Sequence, residues 1–566
     1  MNQNDPNQKD WTKTYFHRYH NLTKHTVEKL LASGRSLDWK NQPDPFRHYE
    51  AELVELPVLD LFEMLEPEKN IGFFDLPAPQ AVPFDFPFLS SLLFNSFAIS
   101  AWKQVVGTNH KWALRVNPSS GNLHPTEVHL FFDQGAFHYR VDEHKLERRS
   151  SIDMRPLLCA ELDLSEDFAP PLLICLSSIL WREAWKYESR AFRYCNHDLG
   201  HALAALETSA NIHGWHTVDF GLFDDKKMTD ILGLSLNQEH PLSFVGLYPE
   251  PKPAFKSKKK DGSIFKTETE TGTDKVASQT IQLVSECNQL SSEQIDYPLI
   301  TKVFESTCCD NEQWLEARNR FTTFDTDSKK SLLYIMVGED QNAIENESLK
   351  VKMPVVTKKP LAREVVRTRR SAVDMDGQTS VSKEVLDLIL LASTKGFNAD
   401  FQTKKEDKFN LIHLFLYLHQ VNEVTPGLYY FDRLNERLIA LKKSDQRHFA
   451  RSASCFQDIA SDGVFAVSMV ADFNTANEVF GERGYRLVHH EAGYIGQHFY
   501  LTSHALGLDA TGIGCFIDDA INSYIQLPSG FEVVYNFTFG SALYDPRLTT
   551  LPAYDFEKNK RKEKQK

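Results

Sequence analysis

Three stretches of this chain carry residue types at spacings that can do chemistry. Arg115-Val-Asn-Pro118-Ser119-Ser120-Gly121-Asn122-Leu-His124-Pro125 sets two hydroxyls, a carboxamide and a glycine between two prolines. Such a loop is rigid, donor-rich and nearly flat. Each donor can be aimed at a planar polar ligand, and Gly121 lets the backbone come close. Arg367-Thr-Arg369-Arg370-Ser371 gathers cations and a hydroxyl ahead of a helical run from Ser382. By charge, by bidentate donors and by the nearby helix start, that is a phosphate-binding arrangement. Lys186-Tyr187, followed by Arg190 and Arg193, opens a helix that runs on through His197, Asp198 and His201. A lysine desolvated or beside a cation such as Arg190 has a lowered pKa and can act as a base, while a tyrosine can relay a proton. Taken singly, the first stretch also reads as a Ser/Gly turn and the Lys-Tyr pair as a solvated helix end. The His–Asp group reads as a satisfied helical pair.

The elements that must position these residues follow from apolar patterning. A helix is expected from Phe88, on Leu89, Leu92, Leu93 and Phe97, and strands at Val128 to Phe132, Phe137 to Val141 and Pro171 to Ile179. One long helix from Trp185 is expected to stop at Gly214. The second half repeats this plan. Residues 186–234 align without a gap on 479–527, with identities at Arg190/Arg483, Arg193/Arg486, His197/His490, Gly200/Gly493, Gly214/Gly507, Gly221/Gly514 and Asp225/Asp518. This is a tandem duplication of an α+β unit.

The copies have lost different things. Copy 2 reads Gln402-Thr-Lys-Lys-Glu-Asp where the Pro-Ser-Ser-Gly-Asn loop should be, and copy 1 has no Arg or Lys from Val82 to Ser91, where the arginine cluster should be. Copy 2 keeps Thr511-Gly512-Ile513-Gly514 against Val218-Asp219-Phe220-Gly221, and Val479-Phe480 stands where copy 1 has Lys186-Tyr187. Alternating glycines let backbone N–H groups reach a ligand that Asp219 and Phe220 would crowd.

At 566 residues the chain suggests two to four domains, and a formal charge of −14 argues against general nucleic-acid binding. No apolar run reaches the length of a membrane span, and Met-Asn-Gln-Asn-Asp-Pro has no signal pattern. Eight cysteines without metal spacing favour a reducing cytoplasm, with no structural disulfide and no metal. The expected organisation is an extension over 1–80, copy 1 over 81–250, a flexible charged linker over 251–279, a connecting helical region over 280–355, copy 2 over 356–556 and a basic tail over 557–566.

The Pro118-Ser119-Ser120-Gly121-Asn122-x-x-Pro125 string resembles the flavin-ring loop of the FMN-dependent nitroreductase fold, in its SagB/ThcOx-type dehydrogenase branch. Tyr19-His20-x-x-Thr23-Lys24-His25 is similar to that branch's N-terminal region, and Lys186-Tyr187 with Arg190-x-x-Arg193 resembles the dyad of peptide azoline dehydrogenases. The resemblance implies a nitroreductase-like fold duplicated in tandem as an intrachain pseudodimer, since the family works as two-fold dimers with each FMN between protomers. It implies one composite FMN site, taking Arg115, Pro118, Ser119, Ser120 and Asn122 from copy 1 and Arg369, Arg370, Ser371, Gly512 and Gly514 from copy 2. Val373 stands where the family carries a further cation; Arg547, in Tyr544-Asp-Pro-Arg547, resembles the C-terminal phosphate arginine and is expected to compensate. Lys186 and Tyr187 would then abstract a proton while hydride passes from a thiazoline or oxazoline to flavin. A peptide or small-molecule substrate and a cyclodehydratase-type partner are implied, and a homodimer of the whole chain stays open. The competing readings are an NAD(P)H-dependent nitro- or quinone reductase and a flavin-free binding or scaffold protein, which would be colourless.

Overall fold

The duplication is built as two sheets of one plan. The computed structural model describes residues 11–32, 36–57, 65–235, 238–252, 283–324, 332–337, 348–357, 359–396, 398–401 and 409–554. The expected linker, apart from residues 251 and 252, the basic tail and the stretch 402–408 lie outside the described residues. The first sheet runs, edge to edge, Glu52–Glu55, Lys145–Ser150, Gly135–Arg140, Thr126–Phe132, Leu172–Ser178, His240–Tyr248 and His216–Phe220. The second runs Ser348–Lys350, Arg437–Lys443, Gly427–Asp432, Ile412–Leu418, Phe465–Asp472, Phe531–Gly540 and Asp509–Ile513, matching it strand for strand. Neighbours in both are antiparallel. Leu172–Ser178 is buried at every position, which is why its sequence is a continuous apolar run rather than an alternation.

Two 22-residue helices, Ala191–Ile212 and Gly484–Ala505, lie between the sheets and cross each other. A β-carbon on Gly200 would strike the His490 carbonyl, and one on Gly493 the His197 carbonyl. The duplicated glycines are therefore a backbone crossing, where any side chain would force the helices apart. The helix expected as one piece from Trp185 is two: Leu180–Tyr187 and Ala191–Ile212 meet at a corner where Glu188 has φ 50°. Its aligned position in copy 2, Gly481, bends the same way with φ 62°. Copy 2 relieves the left-handed corner with glycine, whereas copy 1 keeps a side chain there, directly after Lys186 and Tyr187.

The duplicated charges are exchanged across the pseudo-two-fold axis. Arg190 and Arg193 of copy 1 bond Asp518 of copy 2 at 3.1 and 2.8 Å, and Arg483 and Arg486 of copy 2 bond Asp225 of copy 1 at 2.7 Å each. Burial pushes Asp518 and Asp225 upward, but each facing pair of guanidiniums outweighs it and holds the carboxyl below its usual range. The flanking helices follow suit. Arg193 donates to His20 O and Thr23 Oγ1, Arg486 to Phe304 O and Thr307 Oγ1. His25 N donates to Asp518 and Cys309 N to Asp225. Helices Tyr15–Leu22 and Pro298–Thr307 thus occupy equivalent places, a correspondence too divergent to see in the residues themselves. The segment before the second is extended instead of helical, laced to residues 44–50 through Leu290, Asn288 and Glu286.

Candidate functional site

The two stretches that survive in different copies meet at one cavity of about 630 Å³. Its walls are Pro118–Asn122 of copy 1 and Arg369–Val373 with Thr511–Cys515 of copy 2. A three-stranded sheet, Leu548–Leu551 with Ile99–Val105 and Lys111–Arg115, closes one side. The volume lies within the roughly 300–1,000 Å³ usual for small-molecule and cofactor sites.

The loop is held from behind. Ser120 donates to Asp198 through both N–H and Oγ at 3.0 Å, and Ser119 Oγ accepts from His124 N and faces Glu183 Oε1 at 3.3 Å. Asn122 spends its amide on Ala113 O and His124 Nε2. These side chains brace the loop, and what they turn toward the cavity is chiefly backbone and edge. Arg115 borders the cavity, yet its guanidinium is given to the carbonyls of Pro45 and Thr126. The dyad stands on the loop's other side: a β-carbon on Gly121, whose φ is 59°, would sit 2.6 Å from Tyr187 Oη and 2.9 Å from Lys186 Nζ. Gly121 is thus required twice, by its dihedral and by the dyad.

Beneath the dyad lie two carboxyls: Asp198, read from the sequence as half of a helical His–Asp pair, and Glu183, which no motif singled out. Among the described residues Asp198 takes part in no His–Asp pair; His197 instead stacks on Tyr535 at 4.3 Å, and His201 meets Tyr535 Oη and Gln497. Burial pushes Asp198 up to about 7 despite hydrogen bonds from Ser119 and Ser120. Burial and then Asp198 raise Glu183 well above the carboxylate range. Burial, followed by Glu183, raises the Tyr187 phenol well above its own, so it is a neutral donor at ordinary pH. Arg190, expected to act on Lys186, is paired with Asp518. An unfolded aspartate titrates at about 3.9, so the fold holds a proton that the unfolded chain releases, and stability from Asp198 is lost as pH rises from about 4 to about 7. Asp198→Asn should therefore compare better with wild type in urea denaturation at about pH 8 than at about pH 5. A pH-independent difference between the two proteins would show that the carboxyl ionises alike in both states.

The cationic wall differs from expectation in detail. Arg369–Ser371 follows the C-terminal end of helix Ala362–Thr368, not a helix start, so charge alone must serve there. Arg367 turns away to Phe94 O and Ile99 O. Arg369 is buried, with Nε unpartnered among the described residues and Nη2 on Val116 O; Arg370 bonds the carbonyls of Arg367 and Arg369. Ser371 Oγ donates to Tyr500 Oη, which also accepts from Gly512 N, so Gly512 has no N–H to spare. Gly514 N has no partner among the described residues. Arg547 does not line the cavity: its guanidinium pairs with Asp545 and is 84% exposed. The additional cation is Lys103, in a strand of copy 1, which lines the cavity beside Arg370. No local motif announced it, since its neighbours become neighbours only through the three-stranded sheet.

The equivalent place on the other side is filled by the chain itself. Asp219, aligned with Gly512, pairs in parallel with Ala399; its N–H goes to Asn398 O, and Asp400 N returns to Asp219 O. The N–H of Gly221, aligned with Gly514, is taken by Asp400 Oδ1 at 2.8 Å, and the Phe401 ring covers Gly221. One further expectation fails: Cys455 and Cys515 form a disulfide. Sixty residues separate them in sequence, and only the fold brings them together.

The cavity is thus lined by three cations (Arg369, Arg370 and Lys103), the braced loop, Gly514 with its bare N–H, and Tyr187; Lys186 reaches Gly121 from behind the loop and is not among the lining residues. That donor set fits an elongated anionic ligand with a flat polar head. Among the described residues no helix is long and apolar enough to cross a membrane. The nitroreductase family's profile matches residues 109–247 and 366–541, together more than half of the chain. A Methanocaldococcus jannaschii protein named as a nitroreductase is 23% identical over 116 residues, 20% of this chain and 59% of that protein's length. A crystal structure from Anabaena variabilis, described as a nitroreductase, superposes with a TM-score of 0.70 at 20% identity, covering 94% of this chain and 100% of that one. A chain of the E. coli microcin synthetase McbBCD complex, with truncated pro-MccB17 bound, covers 39% of this chain and 100% of its own at 14% identity and a TM-score of 0.29. The chain belongs to the nitroreductase family and carries that family's oxidoreductase fold twice, as a pseudodimer within one polypeptide.

Proposed function

We propose that the chain is an FMN-dependent dehydrogenase of the SagB/ThcOx type that oxidises azoline rings in a peptide. The carrying observation is the asymmetry: one copy's loop and Tyr187 share a cavity with the other copy's cationic wall, while the equivalent place is filled by residues 398–401. FMN, when bound, supplies the hydride acceptor. Arg369, Arg370 and Lys103 would hold its phosphate, and the Ser119–Asn122 loop with Gly514 N would hold its ring. The residues do the remainder. Lys186 Nζ takes the carbon-bound proton, and Tyr187, kept neutral by burial and by Glu183, orients the substrate and shares that proton. The half-buried setting of the pair behind Gly121 limits water at the point of transfer. A partner of the cyclodehydratase kind would supply the azoline.

Two measurements test this. Released flavin should equal one FMN per chain; a ratio near two would remove the composite site. A thiazoline- or oxazoline-containing peptide should bleach the flavin anaerobically without added nicotinamide. Bleaching by NAD(P)H alone would point instead to a nitro- or quinone reductase.

A further inference from the structure

A second cluster sits at the rim of the cavity. Ligand-capable atoms of His25, Cys455 and Cys515 lie within 4.8 Å of one another, and all three residues are half-buried. They come from three places: the turn after helix Tyr15–Leu22, the turn after helix Arg447–Ala453, and the segment leaving strand Asp509–Ile513. Cys515 itself lines the cavity.

The histidine is set as a ligand would be. Its backbone N–H is fixed by Asp518 at 3.0 Å, its ring bonds the Phe516 backbone, and Nδ1 is buried with no hydrogen-bond partner among the described residues. An imidazole anchored to a backbone group through one nitrogen, with the other bare, is the usual preparation for a metal. Arg190 is the nearby cation acting on this ring. The charge of Arg190 is itself balanced by Asp518. The cluster is not a by-product of duplication: Leu222 aligns with Cys515, and Cys309 occupies the place of His25.

We propose that reduction of the Cys455–Cys515 disulfide opens a site for a thiophilic divalent cation of the zinc class, held by both sulfurs and His25 Nδ1 beside the cavity. Two electrons and two protons from an external dithiol convert the disulfide to two thiols and leave that dithiol oxidised as its own disulfide. Binding of the cation then releases the two thiol protons. Reoxidation of the cysteines by a disulfide oxidant reforms the bond and expels the ion. Two thiolates and one imidazole leave a fourth, tetrahedral position for water or a thiol ligand. The sulfurs must separate to take a metal, and the turn of Cys455 can yield, since the adjoining Phe456 is exposed. The disulfide and the metal are alternative states of one site, which ties occupancy to redox poise.

The test uses the full chain in three forms: oxidised, reduced with a phosphine and exchanged into metal-free buffer, and reduced carrying His25→Ala or Cys455→Ser. Zn2+ is titrated against a chromophoric chelator read at a wavelength corrected for flavin. Co2+ then probes the reduced protein for sulfur-to-metal charge-transfer absorption. One Zn2+ per reduced chain, none per oxidised chain, and loss of both signals in either variant are the expected results. The oxidised protein is a control that needs no substitution, so misfolding of a variant cannot imitate the result. Equal Zn2+ uptake by the oxidised and reduced forms, or none by the reduced form, would overturn the proposal. So would retention of stoichiometric binding by Cys455→Ser.

Discussion

Lys186→Met and Tyr187→Phe are expected to lower substrate-driven flavin reduction by roughly 10²–10⁴, the usual contribution of a positioned acid or base, while each variant stays folded and yellow. The pair stands over Gly121 at the loop side of the cavity, away from the cationic wall, so neither change removes a phosphate contact. Lys186→Met keeps the stem and deletes the ionisable end; Tyr187→Phe keeps the ring that packs against Tyr194 at 4.6 Å and deletes the phenol. Bleaching by a non-physiological hydride donor should be little affected, because that half-reaction needs no substrate carbon to be deprotonated. Copy 2 supplies the control. Val479 and Phe480 occupy the aligned positions and are fully buried, so changes there act through packing alone. The measurement is anaerobic stopped-flow reduction of each variant by an azoline peptide. Rates like wild type in both dyad variants would leave a half-buried Lys-Tyr pair without a role in the reaction.

What could be read from the residues, and what could not, divides along sequence distance. The tandem α+β plan was legible because an ungapped run of identities survives over the two crossing helices. Gly200/Gly493 and the exchanged Arg–Asp sets explain why that run resisted drift, since each is a contact between the copies. The equivalence of helices Tyr15–Leu22 and Pro298–Thr307 was not legible, because those helices contribute mainly backbone carbonyls and N–H groups, which constrain few side chains. The loop and arginine motifs located the cavity, but their hydrogen bonds could not be foreseen. Ser120 proved to face Asp198, and Gly512 to serve Tyr500. Arg547 fell outside for a local reason, an aspartate two residues away. Lys103 and the Cys455–Cys515 disulfide were invisible because each depends on segments far apart in the chain.

The cationic wall is expected to govern retention of the cofactor. Arg369→Ala combined with Arg370→Ala should weaken FMN binding by tens-fold at the least. A charge-assisted hydrogen bond to phosphate contributes on the order of 1.5–3 kcal/mol, and about 1.4 kcal/mol is tenfold in affinity. Two such bonds lost would give about 100-fold or more if Lys103 could not compensate, and less if it moved in. Part of any loss would be structural, since Arg369 also caps Val116 O and Arg370 ties the carbonyls of Arg367 and Arg369. Lys103→Met separates the two effects. Among the described residues its ammonium bonds only Thr550 Oγ1, at the surface of the three-stranded sheet, so removing it should cost affinity while barely touching stability. All three positions should also share one signature: added salt weakens FMN binding less in the variants than in wild type, because fewer paired charges remain to be screened. Free flavin is counted after prolonged dialysis, with thermal melts run alongside. If the double variant kept its flavin through dialysis, these arginines would have to be reassigned to the fold, and the phosphate would have to be sought elsewhere on the cavity wall.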